Sequence, residues 1–261
     1  MSDHAALKSA AASRQVLSDR VRAGEPTLGT FCDLGSAAIA EIAAGTGFDW
    51  VVVDLEHGAA DRAAVLDSLR GIAASESAGL VRVPSCDSEL IGWTLDAGAA
   101  GIVVPRAHGV ADARRALDRS LYSAGRGVSP ASRASRYGRE AEYALTADAR
   151  RLLMIQIETP GALADAEAIA RLDGVDVLFL GPGDLGKELD ISGADHPRML
   201  EAAEQIVRAA QAGGKSAAVY VHDPGLAAVY RELGFTLIAS GFDSSLVATA
   251  YDRLLRQIVD G

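Results

Sequence analysis

Lysine is almost missing from this 261-residue chain, occurring only as Lys8, Lys187 and Lys215. None of the three lies within an apolar run or at its C-terminal end. Burial there is what would lower an amine pKa enough for imine formation, so imine-forming lysine chemistry is disfavoured. Cysteine is as scarce. Cys32 and Cys86 show no metal-ligand spacing and make no disulfide framework, so a reducing cytoplasm is the expected compartment. Positive charge is thin: the formal net charge is −10 and no basic cluster exists that could neutralise phosphates, which argues against nucleic acid as a partner. The densest basic stretch, Arg133, Arg136 and Arg139, is followed at once by acids and reads as surface charge. No apolar stretch approaches the length of a membrane span, and residues 1–15 lack a continuous apolar signal core. We therefore expect a soluble, intracellular protein with no membrane partner.

What the chain has is aliphatic surface. Hydrophobic residues make up 49% and aromatics only 5%, which suits layers of branched side chains inside a barrel. Short β-type runs alternate with longer amphipathic ones throughout. The strands predicted are Thr27–Cys32, Trp50–Leu55, Leu80–Val83, Gly101–Val104, Leu152–Ile157, Val177–Leu180, Ala217–Val221 and Thr236–Ala239. Between them apolar residues recur three and four apart, as at Ala63, Leu66 and Leu69, or Leu163, Ala166, Ile169 and Ala170. Eight strands, each followed by a helix, predict a (β/α)8 TIM barrel. A doubly wound sheet would carry a glycine-rich turn after its first strand, and Cys32-Asp33-Leu34-Gly35-Ser36 does not fit that pattern. No linker or repeat divides the sequence. One domain over residues 1–261 is expected, with a short polar extension over about residues 1–15. The longest irregular stretch, Ser123 to Arg139, is expected to be a long excursion near the site.

Polar residues at strand ends carry the functional signal. Glu158 closes the run Leu152 to Ile157, and Asp184 follows Val177 to Leu180 by way of Gly181-Pro182-Gly183. Two carboxylates emerging at one end of a sheet make a natural site for a hard divalent metal. Gln156 shares a strand face with Glu158, as Asp54 does with Glu56, and a polar pair in an apolar strand is hard to explain as packing. Asp54 also reads as an interior hydrogen-bonding residue, and Glu56 either as a neighbour of the metal site or as a loop charge. His57 follows at the end of the second strand, where an imidazole near neutrality could take and return a proton. The remaining histidines, at 4, 108, 196 and 222, sit in the tail, in loops or in a turn. Arg82 lies in the buried run Leu80 to Val83 and must meet an anion, either in a structural ion pair or on a substrate oxygen. Asp96 ends the helix after the third strand, where it opposes the helix dipole and calls for a compensating cation or imidazole. The turn Gly181 to Leu185 offers free backbone N–H groups to a small anion.

At these residues the chain resembles the HpcH/HpaI aldolase family of metal-dependent pyruvate aldolases, from Gly29 to about Leu255. The resemblance rests on an ordered set: Glu41-Ile42-Ala43 with Gly47-Phe48-Asp49-Trp50, Asp54-Leu55-Glu56-His57, Val81-Arg82-Val83-Pro84 and Leu95-Asp96-Ala97-Gly98-Ala99. It continues with Gln156-Ile157-Glu158, Gly181-Pro182-Gly183-Asp184-Leu185 and His196-Pro197. It implies that Glu158 and Asp184 ligate a divalent metal, Mg²⁺, Mn²⁺ or Co²⁺, beside Gln156. Arg82 would contact the 2-oxo oxygen and stabilise the enolate. His57 would do the acid/base work, directly or through metal-bound water, with Asp96 orienting it. The Gly183 and Asp184 amides would hold the pyruvate carboxylate. The implied reaction is reversible cleavage of a 4-hydroxy-2-oxo acid to pyruvate, or a related 2-oxo acid, and an aldehyde through a metal-stabilised enolate. The implied assembly is a homo-hexamer, a trimer of dimers, with the last helix exchanged between neighbours. The chain departs from the family at Leu55-Glu56-His57-Gly58, and Pro105-Arg106-Ala107-His108-Gly109 is unusually basic, so Arg106 or His108 is a candidate for the distal part of the acceptor.

Three competing readings remain. Oxaloacetate decarboxylation and cleavage of a CoA ester share the same enolate chemistry, although the lysine-poor, acidic composition offers little to a CoA phosphate channel. A non-catalytic barrel that binds 2-oxo acids would need none of Glu158, Asp184, Arg82 and His57 for packing. Fold alone does not choose among them.

Overall fold

Branched aliphatic runs buried on both sides favour parallel strands covered by helices. The computed structural model describes residues 16–260, and in it eight parallel strands close into a barrel in sequence order. A helix at residues 16–22 (α1) precedes β1 (Thr27–Cys32), α2 (Ala37–Gly45), β2 (Trp50–Asp54), α3 (Arg62–Ile72), β3 (Ala78–Arg82) and α4 (Leu90–Asp96). β4 (Gly101–Val104), α5 (Val110–Ser120), α6 (Tyr143–Arg150) and β5 (Leu152–Ile157) follow, then α7 (Pro160–Ala164), α8 (Ala166–Ala170) and β6 (Val177–Leu180). α9 (Pro182–Glu188), α10 (Pro197–Ala212), β7 (Ser216–Val221), α11 (Ala227–Leu233), β8 (Leu237–Phe242) and α12 (Asp243–Asp260) complete the chain. The (β/α)8 expectation holds, and the predicted β1, β4, β5 and β6 match residue for residue. The polar extension, with His4 and Lys8, lies outside the described residues.

Strand alternation sorts the core into two shells. Trp50, Val52, Leu80, Val103, Leu152, Met154, Val177, Phe179, Ala218 and Ala239 fill the barrel interior. The residues between them, such as Val51, Val53, Ile102, Leu153, Leu178 and Val219, meet the helices. Burying an aliphatic side chain of this size contributes about 1.5–3 kcal/mol. Gly29 of β1 makes room for Trp50, because a Cβ there would stand 2.2 Å from the indole ring. Leu17 and Val21 of α1 join the interior cluster at the strands' N-terminal ends, so α1 closes the floor of the barrel.

Helix starts are capped by their own sequence. Asp61 accepts from the Ala64 N–H at 2.8 Å, and Thr159 Oγ1 from the Ala162 N–H at 3.1 Å. His196 takes the same role at α10, its Nδ1 accepting from the Arg198 N–H at 3.2 Å. On α3 the buried stripe is Val65, Ser68, Leu69 and Ile72; of the expected positions Leu69 is buried, Leu66 packs half-buried against the core and Ala63 is exposed.

Two features correct or extend the sequence reading. The Ser123–Arg139 stretch does not lie near this chain's strand C-termini. It follows the returning helix α5, and Arg133 Nη1 donates to Ala97 O at 2.8 Å, at the C-terminal end of α4. Helices run against the strands, so their C-terminal ends mark the barrel's N-terminal face; the excursion belongs there, and it leads into α6. The second feature is α12, whose only buried residue is Asp243. Leu246, Tyr251, Leu254, Leu255, Ile258 and Val259 on it are all exposed.

Candidate active site

Every strand ends on the same face of the barrel, and the topmost interior positions of β2, β3 and β5 there are polar. Asp54 and Arg82 are register partners on adjacent strands, with both side chains inside. Arg82 Nε donates to Asp54 Oδ1 at 2.8 Å and Nη2 to Oδ2 at 2.7 Å, a two-pronged pair within a buried layer. Nη1 lies 3.1 Å from Glu56 Oε2, and the guanidinium stacks 5.2 Å from the Phe31 ring centroid. Burial alone would pull the Arg82 pKa down. The hydrogen bond and charge of Asp54, followed by the charges of Glu56 and Glu158, outweigh it and hold the guanidinium above its ordinary value. The anion that the sequence demanded for Arg82 is thus Asp54, an assignment available from strand parity in neighbouring strands.

Glu158 follows β5 and is 2% exposed. Its Oε1 accepts the Arg106 backbone N–H at 2.6 Å, and its Oε2 accepts from Gln156 Nε2 at 2.8 Å. Neither donor is a cation, and burial pushes the Glu158 carboxyl up to about 7. The Arg106 N–H opposes that rise, the charges of Glu56 and Asp184 add to it, and Arg82 opposes it again. Gln156 is buried as well, and its Oε1 has no hydrogen-bond partner. Gly181 is required beside this pair, because a Cβ there would stand 2.5 Å from Glu158 Oε2.

Asp184 lies in the first turn of α9, half-exposed, with Arg106 Nη1 3.9 Å from its Oδ1. Gly183 precedes it at a point where even an added Cβ would meet open space. His57 stands at the rim after β2, largely exposed, with Nε2 3.8 Å from Glu56 Oε1. Burial also raises the Glu56 carboxyl above its ordinary value, against the opposing charges of Arg82 and His57. On the far side of the mouth Tyr220 and Phe242 pack against Phe31, an aromatic wall that the interior parity of β7 with Ala218 could have signalled.

A hard divalent cation fits this donor set. Two carboxylates approach from separate strand ends, one of them buried without a cationic hydrogen-bond donor, beside an orphaned amide oxygen and a cradle that only glycine leaves open. Among the described residues no group of three or more His, Cys, Asp or Glu side chains converges on a metal position, so protein ligation would rest on Glu158 and Asp184.

The structure gathers His57, Arg82, Gln156, Glu158, Gly183 and Asp184 at one mouth, but not Asp96. Asp96 ends α4 on the opposite face of the chain's own barrel, where its Oδ1 accepts from Tyr122 Oη at 2.8 Å and from Arg126 Nη2. The cation expected to compensate it against the helix dipole is Arg126. The sequence held no signal for that partner, which lies 30 positions away in the irregular excursion.

The chain is similar to known proteins along almost its whole length. The family model described as HpcH/HpaI aldolase/citrate lyase matches residues 27–250. A hydroxypyruvate/pyruvate aldolase of Paraburkholderia phytofirmans is 37% identical over 251 residues, covering 93% of this chain and 96% of the relative. A 4-hydroxy-2-oxo-heptane-1,7-dioate aldolase of Salmonella typhimurium is 34% identical over 245 residues, covering 92% and 93%. Among solved structures, an HpcH/HpaI aldolase/citrate lyase family protein of Burkholderia cenocepacia superposes with a TM-score of 0.87 at 32% identity, covering 94% of this chain and 99% of that one.

Proposed function

From a chain that belongs to the HpcH/HpaI aldolase/citrate lyase family, and is an aldolase-type lyase, we infer an enzyme that cleaves 4-hydroxy-2-oxo acids to pyruvate or a related 2-oxo acid and an aldehyde. The observation that carries this reading is Glu158, a buried carboxylate held at the mouth by neutral donors and close enough to Asp184 to feel its charge.

Glu158 and Asp184 would hold the divalent metal, Mg²⁺, Mn²⁺ or Co²⁺. When bound it supplies a Lewis acid for the 2-oxo group. Every other step falls to side chains. Arg82, fixed by Asp54 and Glu56, meets the charge that grows on the 2-oxo oxygen as the C3–C4 bond breaks. Because Asp54 orients it beforehand, that donor needs little reorganisation during the reaction. His57, exposed beside Glu56, takes the proton of the 4-hydroxyl, and the C3–C4 electron pair becomes the pyruvate enolate as the aldehyde leaves. A proton delivered to C3 completes cleavage, and addition runs the same steps backwards. Gln156 borders the 2-oxo acid, and the first-turn amides of Gly183 and Asp184 suit its carboxylate. Asp96 could orient His57 only across an interface between copies, since within one chain it sits at the other end of the barrel. A homo-oligomer that covers the bare apolar face of α12, as in a trimer of dimers, accords with both observations.

Exchange of the pyruvate C3 protons in D₂O, followed by NMR, tests the reading without a guess about the aldehyde. Metal-stripped enzyme is expected to be silent and Mg²⁺, Mn²⁺ or Co²⁺ to restore exchange. Glu158→Ala and Asp184→Ala are expected to abolish it. No exchange with any of these metals would sink the proposal.

A further inference from the structure

Arg106 occupies its position at a conformational disadvantage. It follows β4 and Pro105, and its φ of 53° lies in the left-handed region that favours glycine or asparagine. That backbone has a clear task, since it aims the Arg106 N–H at Glu158 Oε1, 2.6 Å away. The task needs no side chain. Glycine would adopt the same φ without the penalty, so the local geometry does not explain why an arginine stands there.

The guanidinium is not engaged elsewhere. Its side chain is 50% exposed, and its one ionic neighbour among the described residues is Asp184, at 3.9 Å, too far for a hydrogen bond. Arg82, the other cation of the mouth, is 9% exposed at its side chain and committed to Asp54 and Glu56. Arg106 is thus the solvent-facing guanidinium of an otherwise acidic mouth, rooted beside Glu158 and leaning over Asp184.

We propose that Arg106 is the acceptor-reading residue of this enzyme, binding an anionic group, carboxylate or phosphate, on the aldehyde half of the substrate. The proposal rests on the aldolase reading and narrows it to acceptors with a distal negative charge. A planar guanidinium with free N–H groups matches either anion in two-pronged fashion. The pyruvyl half is left to Arg82 and the α9 turn, so the two arginines divide the substrate between them.

The test is a specificity ratio. Aldol addition of pyruvate is measured with matched acceptors: 4-oxobutanoate against butanal, and glyceraldehyde 3-phosphate against glyceraldehyde. Wild type is expected to prefer the charged member of at least one pair in kcat/KM, with the preference weakening as salt is raised. In Arg106→Gln the charged-to-neutral ratio should fall roughly tenfold or more, and Arg106→Lys should restore part of it. Whichever pair responds identifies carboxylate or phosphate as the group read. A wild type with no preference for either charged acceptor overturns the proposal, as does an Arg106→Gln enzyme whose ratios match wild type. Pyruvate C3 exchange by the wild type keeps the two levels apart. If exchange is present, a flat ratio condemns only the role of Arg106; if exchange and both additions are absent, the aldolase reading falls with it.

Discussion

Replacing Glu158 by glutamine should change how stability depends on pH, by an amount the site itself sets. Glu158 is 2% exposed and its carboxyl is pushed from an ordinary 4.5 to about 7, first by burial and then by Glu56 and Asp184. A carboxyl raised in the fold is protonated there while still ionised in the unfolded chain. Between about pH 4.5 and 7 the native state therefore binds the extra proton, and stability falls as pH rises through that window. Each pKa unit is worth about 1.4 kcal/mol, so ionising Glu158 without metal costs the fold on the order of 3 kcal/mol by pH 8. For a domain of this size that is a loss of roughly 10 °C in Tm.

Thermal or urea unfolding of the metal-stripped protein from pH 5 to 8.5 measures it, wild type beside Glu158→Gln. The variant has nothing to ionise at that site, so its stability should decline less with pH, the two curves diverging by about 3 kcal/mol across the window. The slope is the readout, because the amide also rearranges the bonds to Arg106 and Gln156 by a pH-independent amount. Asp243, raised to about 6 by burial and by its neighbour Asp33, titrates in both proteins and cancels in the difference. Adding Mn²⁺ should recover wild-type stability at pH 8 and leave the variant unmoved. Parallel pH curves for the two proteins would refute the assignment of Glu158 as a buried, cation-deprived carboxylate.

Two further outcomes follow from the ion pair at the mouth and the bare face of α12. Arg82→Met strands Asp54 as a buried unpaired charge and should cost about 3–5 kcal/mol in urea unfolding, and much of that loss should return in the double variant with Asp54→Asn. Leu254→Glu with Ile258→Glu on α12 should shift the protein to a smaller species in light scattering while barely changing the far-UV spectrum, because neither side chain is buried within the chain; a wild type already monomeric would overturn the view of that face as an interface.

The barrel was legible because its strands are short aliphatic runs between turn residues, and a side chain buried on both sheet faces leaves little ambiguity of type. Boundaries slipped where polarity interrupts a strand. Ser216 opens β7 as a buried residue bonded to Val21 O at 2.6 Å, a contact across the floor that local sequence does not encode. β8 runs on to Phe242 through Gly241, at φ 84°, three residues past the predicted end at Ala239. The strand-end acids, Arg82 and His57 were visible as violations of the apolar pattern. Partners were not: Arg106 reaches Glu158 through its backbone, which carries no residue signature, and Arg126 reaches Asp96 from an excursion whose path depends on packing under the barrel.

The polar layer at the mouth also explains why so apolar a barrel tolerates a destabilising carboxylate. Below that layer the interior cluster is aliphatic and aromatic, so the floor and middle supply stability by apolar burial. At the top Arg82 is neutralised twice, by Asp54 and Glu56, whereas Glu158 receives only an amide and a backbone N–H. The fold therefore commits Arg82, the buried cation of this layer, to Asp54 and Glu56 and leaves Glu158 short of positive charge. A site built only for stability would pair Glu158 with Arg82 or replace both by aliphatics. Leaving it unpaired makes sense if the missing charge arrives with the bound cation, so that the same imbalance that weakens the empty fold strengthens its grip on the metal.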